Sequence, residues 1–154
     1  MGTNFKSLLA RVESQYASLC KARLWEVYEK PSRKHIPNEP GVYVLYERGN
    51  ALYPGRTGPK SGLRKRLGQH SLDGSDHKQA ALARALACKK LGNGLRCPEG
   101  YDTHRFKEAF GEMKKRVRGM SVRWVEESDP DTRCLLEFYA AKELRTPYND
   151  FSEH

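Results

Sequence analysis

GVYVLYERGNALYPGRT, residues 41–57, is the stretch on which the reading of this chain turns. Two short runs, 41–48 and 51–57, are rich in valine and aromatic residues. Gly49-Asn50 between them can accept positive φ, which is the signature of a β-hairpin. Side chains alternate along a strand, so Val42, Val44 and Tyr46 share one face of the first run while Tyr43 and Leu45 share the other. Pro54 removes a backbone donor from the second run, which predicts an edge strand or a bulge.

Outward from the hairpin the apolar period changes. Leu8, Val12, Tyr16 and Leu19 form a helical stripe within 4–29, and this helix is expected to stop before Lys30-Pro31. Downstream, 63–71 reads as helix, with Leu63 and Leu67 facing the core. Asp76 is placed to cap a helix over 77–91, with Ala81, Leu82, Ala85 and Leu86 buried and Gly92 as its stop. Phe106, Phe110, Met113 and Val117 mark another helix ending near 118, and SVRWVEE (121–127) alternates as a third strand. Asp129-Pro130 opens a last helix, 130–144. The expected fold class is α/β: a small, mainly antiparallel three-stranded sheet flanked by helices, in one domain. Residues 1–37 form an N-terminal helical extension, 41–149 the core, and about 72–118 a helical insertion.

A chain of 154 residues can bury a real core, roughly 70% of the unfolded surface at this size. No apolar run approaches a membrane span, and Arg11 and Glu13 interrupt the N-terminal apolar stretch, which reads against a secretory signal. With 28 basic and 19 acidic residues the net charge is +9, and a polyanion is the natural partner. Cys20, Cys88, Cys97 and Cys134 contain no CxxC pair, so a zinc knuckle is not expected; scattered thiols suggest a reducing, intracellular setting.

Several residues suggest chemistry. Tyr43 and Tyr53 lie on paired strands, Gly55 permits close approach of a ligand, and Arg56 follows directly. In KSGLRKRLGQH, Arg66 and His70 are four residues apart and share a helix face, while Arg64 and Lys65 point elsewhere. Gly68 inside that helix costs roughly 1 kcal/mol relative to alanine. Glu137 sits in CLLEFYAA with Cys134 and Ala141 on its face, and a carboxylate there needs a partner such as a divalent cation. Each residue also has a structural reading: tyrosines are common in strands, and a run such as Arg64-Lys65-Arg66 is usually a solvated face. Only the joint order makes a case for function.

That order resembles the GIY-YIG nuclease family. Gly41-Val42-Tyr43 and Tyr53-Pro54-Gly55 look like its two strand motifs; Arg56, Arg66 and His70 follow, then Glu137 in a later helix and Asn149 in Pro-Tyr-Asn. The similarity covers about 41–149 and is densest over 41–70. It departs from the family in Pro54 and in the long stretch between His70 and the third strand. The resemblance implies metal-dependent hydrolysis of DNA, duplex as the expected substrate, with Mg²⁺ (or Mn²⁺) held by Glu137. Tyr43, relayed by His70 or Tyr53, would activate water, and Arg56 and Arg66 would lower the Tyr43 pKa and steady the transition state. Gly55 and Asn149 would support this centre, Asn149 by orienting Glu137 or a phosphate. Lys60, Arg64 and Lys65 would grip the nucleic acid. Cutting both strands with one such site requires a homodimer or sequential nicking, and no membrane partner is expected. The alternative is a protein of the same fold that binds nucleic acid without cutting it.

Overall fold

The computed structural model describes residues 4–27, 34–72, 74–98, 103–149 and 151. In chain order these form α1 (Phe5–Lys21), β1 (Trp25–Glu26), β2 (Gly41–Glu47), β3 (Asn50–Thr57), α2 (Gly62–Ser71), α3 (Ala81–Lys90), α4 (His104–Arg118), β4 (Ser121–Glu126) and α5 (Pro130–Glu143). The sheet has four strands in the order β1-β4-β2-β3, every pair antiparallel, so the three expected strands gain a fourth. The addition comes from the tail of the long helix expected over 4–29. α1 ends at Lys21, and Trp25 and Glu26 pair with Val122 and Ser121 on the edge of β4. Trp25 then lies between the rings of Trp124 and His35, an aromatic setting that favours the extended backbone. The expected helix stop at Lys30-Pro31 lies outside the described residues.

The hairpin is present with its turn moved by one residue. Arg48 (φ 50°) and Gly49 (φ 81°) both take positive φ, as a two-residue type I′ turn requires, and Asn50 already pairs with Glu47. β3 is the sheet edge, which accommodates the missing N–H of Pro54, paired in register with Val44; the bulge falls two residues earlier, where Leu52 is left unpaired between Ala51 and Tyr53.

The alternation along β2 divides the interior in two. Val42, Val44 and Tyr46 pack with Val12 and Leu19 of α1 and Leu136 and Ala140 of α5. Tyr43 and Leu45 pack on the opposite side with Leu63, Leu67, Leu82, Leu86 and Phe106 of α2–α4. Each such buried leucine contributes about 1.5–3 kcal/mol. α1 therefore covers its own sheet, and Tyr16 meets Tyr139 edge-on at 5.0 Å.

A polar corner locks that layer. The Glu127 side chain is wholly buried; it accepts from Arg11 Nε (3.1 Å) and Nη2, from Gln15 Nε2 (2.7 Å) and from the Asp129 amide (2.9 Å). Asp129 in turn caps α5 by accepting from the Thr132 amide at 2.7 Å, with Pro130 in the first turn. On the other face, Asp76 accepts from the amides of Lys78 and Gln79 in a local turn, and α3 begins at Ala81 rather than at 77. The same side-chain chemistry serves an Asx turn and a helix cap, which is why the start was misplaced.

Candidate active site

β3 being an edge, side chains from both faces of the sheet can meet around it. From the α2 face come Tyr43, opposite Gly55 in the β2–β3 register, and Tyr53, opposite Leu45. Tyr43 is fully buried, and its ring lies over Gly55: a Cβ built there would stand 2.3 Å from the Tyr43 hydroxyl. The absence of a side chain at Gly55 thus makes room for Tyr43. From α2, His70 Nε2 sits 2.6 Å from Tyr43 Oη, and its ring meets Tyr53 edge-on at 5.7 Å. Arg66, one turn earlier, donates from Nη1 to the Gln79 carbonyl (2.7 Å) and to Gln69 (3.2 Å), and its charge acts on the Tyr43 phenol.

From the α5 face, Arg56 lies opposite Val42, and its Nε is 3.0 Å from Glu137 Oε2. The Glu137 side chain keeps 17% of its surface exposed, toward a cleft of about 180 Å³. The cleft is lined by Tyr53, Glu137 and Asn149, by Ala81, Arg84 and Ala85 of α3, by Leu95 and Arg96, and by Tyr148 and Phe151.

Electrostatics join the two halves. Burial holds the Glu137 carboxyl above its ordinary pKa, and Arg56 and Arg66 pull it back in part. Burial also pushes the Tyr43 and Tyr53 phenols up, and the opposing pull of Arg66 is smaller in both. This corrects the expectation that Arg56 and Arg66 would lower Tyr43: Arg66 does act in that direction, but the loss of water outweighs it. His70 is lowered to about 3 by burial and then by Arg66, so it is neutral at pH 7. With His70 neutral, either the Tyr43 hydroxyl donates to His70 Nε2 or Nε2–H donates to the phenol oxygen, according to the imidazole tautomer. In either tautomer His70 Nδ1 has no partner among the described residues.

Tyr43, Tyr53, Arg56, Arg66, His70 and Glu137 are thus brought together. Asn149 lines the same cleft, but its Nδ2 donates to the Pro54 carbonyl (2.9 Å) and its Oδ1 accepts from Thr146 (3.0 Å). It fastens the chain after α5 to the edge strand and bonds neither Glu137 nor a free polar position. Lys60, Arg64 and Lys65 are exposed and stand apart; Arg64 Nε donates to the Ile36 carbonyl. At Gly68 a methyl would make ordinary contact with Leu72 at 3.5 Å, so packing does not explain the glycine. Arg84 and Tyr148 were missed by sequence reasoning. The one local signal was Ala81 and Ala85 flanking Arg84 on a helix, small residues that leave a long side chain room.

The thiols are not all free. Cys88 on α3 and Cys97 form a disulfide; Cys20 and Cys134 are unpaired. That pairing closes the loop carrying Leu95 and Arg96 against the cleft, and it overturns the expectation of four scattered thiols. No helix is long and apolar enough to cross a membrane among the described residues.

Compared with family models, curated proteins and solved structures, the chain matches none. The functional reading therefore rests on the residues themselves.

Proposed function

We propose that the protein is a divalent-metal-dependent DNA endonuclease with a GIY-YIG-type centre. The supporting observation is the convergence of six residues, spread from Tyr43 to Glu137, at one open sheet edge beside one cleft. Their types and chain order are those of the family resemblance.

The donor set fits a metal in a limited way. Among the described residues there is no cluster of three carboxylate, histidine or cysteine ligands, and Glu137 is the one carboxylate lining the cleft. Mg²⁺ is commonly bound through one or two carboxylates with water and substrate phosphate completing its shell, so a single Glu137 is compatible. A bound Mg²⁺ would polarise the scissile phosphate and stabilise the leaving oxygen. The Arg56–Glu137 ion pair keeps the carboxylate ionised and aimed, and Arg56 and Arg66 offset charge on the phosphate. His70 Nε2 receives the Tyr43 proton as the phenol oxygen takes a proton from water. With Tyr43 held high and His70 low, this transfer is uphill in the resting protein.

The test is nicking of supercoiled plasmid by the wild type in Mg²⁺, in EDTA, and by Glu137→Ala in Mg²⁺. Nicking only in the first is expected; equal nicking by Glu137→Ala removes the assignment.

A second reading is a non-cleaving nucleic-acid-binding protein. One observation favours it: Tyr43 is completely buried, out of reach of water in the resting state. Salt-dependent DNA retention without metal-dependent nicking would establish it.

A further inference from the structure

The cleft lining at Phe151 and Arg84, with the side chains Phe138, Lys142 and Lys89 around its rim, has a composition the catalytic reading does not use. Phe151 lines the mouth, 42% exposed, and Phe138 of α5 stands behind it, 45% exposed, with ring centroids 5.2 Å apart in an edge-to-face arrangement. Lys142 Nζ lies 5.3 Å from the Phe138 ring, and Lys89 Nζ lies 5.2 Å from that of Tyr148. Arg84 reaches the floor between Ala81 and Ala85, close enough to act on the Tyr53 phenol. Two exposed phenylalanines beside cations are a poor match for continuous duplex, whose base faces are already stacked and whose surface offers phosphates and groove edges. Interleaved aromatic faces and positive charge suit a strand with an unpaired base: the ring takes the base and the cations take the phosphates. The cleft, about 180 Å³, has room for a flat ring but not for a duplex.

We propose that the strand enters with one unpaired nucleobase stacked on Phe151, backed by Phe138, and with its flanking phosphates on Arg84 and Lys142. The protein thereby selects single-stranded or locally unpaired DNA over continuous duplex. This deepens the nuclease reading by naming its substrate class, and the binding step does not depend on cleavage. A merely structural role for the two rings, anchoring the chain after α5, would affect stability and leave base pairing irrelevant.

The experiment uses the full chain in EDTA with a 2-aminopurine-labelled DNA oligonucleotide in three forms: single-stranded, bulged by one nucleotide at the label, and fully paired. Expected is binding of the first two about five- to hundredfold tighter than the third, the worth of one stacked base, with quenching of the label. In Phe138→Leu/Phe151→Leu, checked for an unchanged melting midpoint, the ratio falls to within about twofold. Equal affinity for all three forms, or a preference retained by the double variant, overturns the proposal. If the variant is unstable, Phe151→Leu alone is read by the same ratio. Mg²⁺-dependent nicking of duplex without any preference would sink the inference and keep the nuclease. Preference without nicking would do the reverse.

Discussion

Two buried titratable groups sit on opposite sides of the sheet, and the protein treats them differently. Glu127, in the α1–α5 layer, is wholly buried with both carboxylate oxygens bonded, by Arg11, Gln15 and a backbone amide. His70, in the α2–α4 layer, is equally buried but, among the described residues, bonds only Tyr43 and leaves Nδ1 without a partner. Buried polar groups are normally satisfied because an orphan costs about 1–3 kcal/mol. A saturated carboxylate with a lowered pKa is a latch, and it fastens the N-terminal helix to the start of α5. An unsaturated histidine against a buried phenol lowers stability, and such costs collect at functional sites. Among the described residues, Arg123 Nε is also buried without a partner; its guanidinium lies over the Tyr46 ring, 5.1 Å from the centroid.

Breaking each side should separate stability from activity. The largest effect is expected from Tyr43→Phe/His70→Leu. Plasmid nicking should fall about 10³-fold, the range of a lost proton-transfer group, while urea unfolding shows stability unchanged or slightly raised, because both polar partners go together. Glu127→Ala should do the opposite, losing about 2–3 kcal/mol in urea unfolding with specific nicking by the folded protein unaltered. Gly55→Ala drives a methyl into the Tyr43 hydroxyl and should cost about 1–3 kcal/mol by the same measurement, with activity falling alongside.

Acid sharpens the comparison with smaller effects. The folded pKa of His70 is depressed from 6.5 to about 3, so the unfolded chain takes up a proton that the folded chain refuses. Stability should decline as pH drops from about 6.5 toward 3, by up to about 1.4 kcal/mol per pH unit, and His70→Leu should flatten that decline. Glu127 is also depressed, but as an acid: its contribution is complete above its ordinary value of 4.5 and is lost as pH falls below it. Urea titrations from about pH 2.5 to 8 on the two variants distinguish these windows. Least of all, Arg116→Ala removes a surface pair with Glu47 and should change stability by less than about 1 kcal/mol.

How far the sequence was readable follows the range of the forces involved. The faces of β2, the capped start of α5 and the stop of α3 near Gly92 are set by local patterning and local hydrogen bonds, and these were legible. The turn shifted because Gly49 accepts positive φ at either central position, and the β3 register, which pairs Asn50 with Glu47, puts Arg48 rather than Asn50 beside it in the turn. β1 was illegible because Trp25 and Glu26 are a strand only once β4 offers its edge. The candidate centre was legible as residue types in order. What was not legible was its environment. Burial reversed the direction expected for Tyr43, and Asn149 turned to Pro54 rather than to Glu137. The Cys88–Cys97 pairing and the cleft wall of Arg84 and Tyr148 depend on how α3 docks, which no spacing encodes.

The most direct measurement sets the two carboxylates against each other with the same conservative change. Supercoiled plasmid is incubated in Mg²⁺ with wild type, Glu137→Gln and Glu127→Gln, each confirmed folded by its unfolding transition. The prediction is nicking by wild type and Glu127→Gln and none above background by Glu137→Gln. Equal nicking by all three, or loss confined to Glu127→Gln, would contradict the assignment of the catalytic centre to the Tyr43–Glu137 edge.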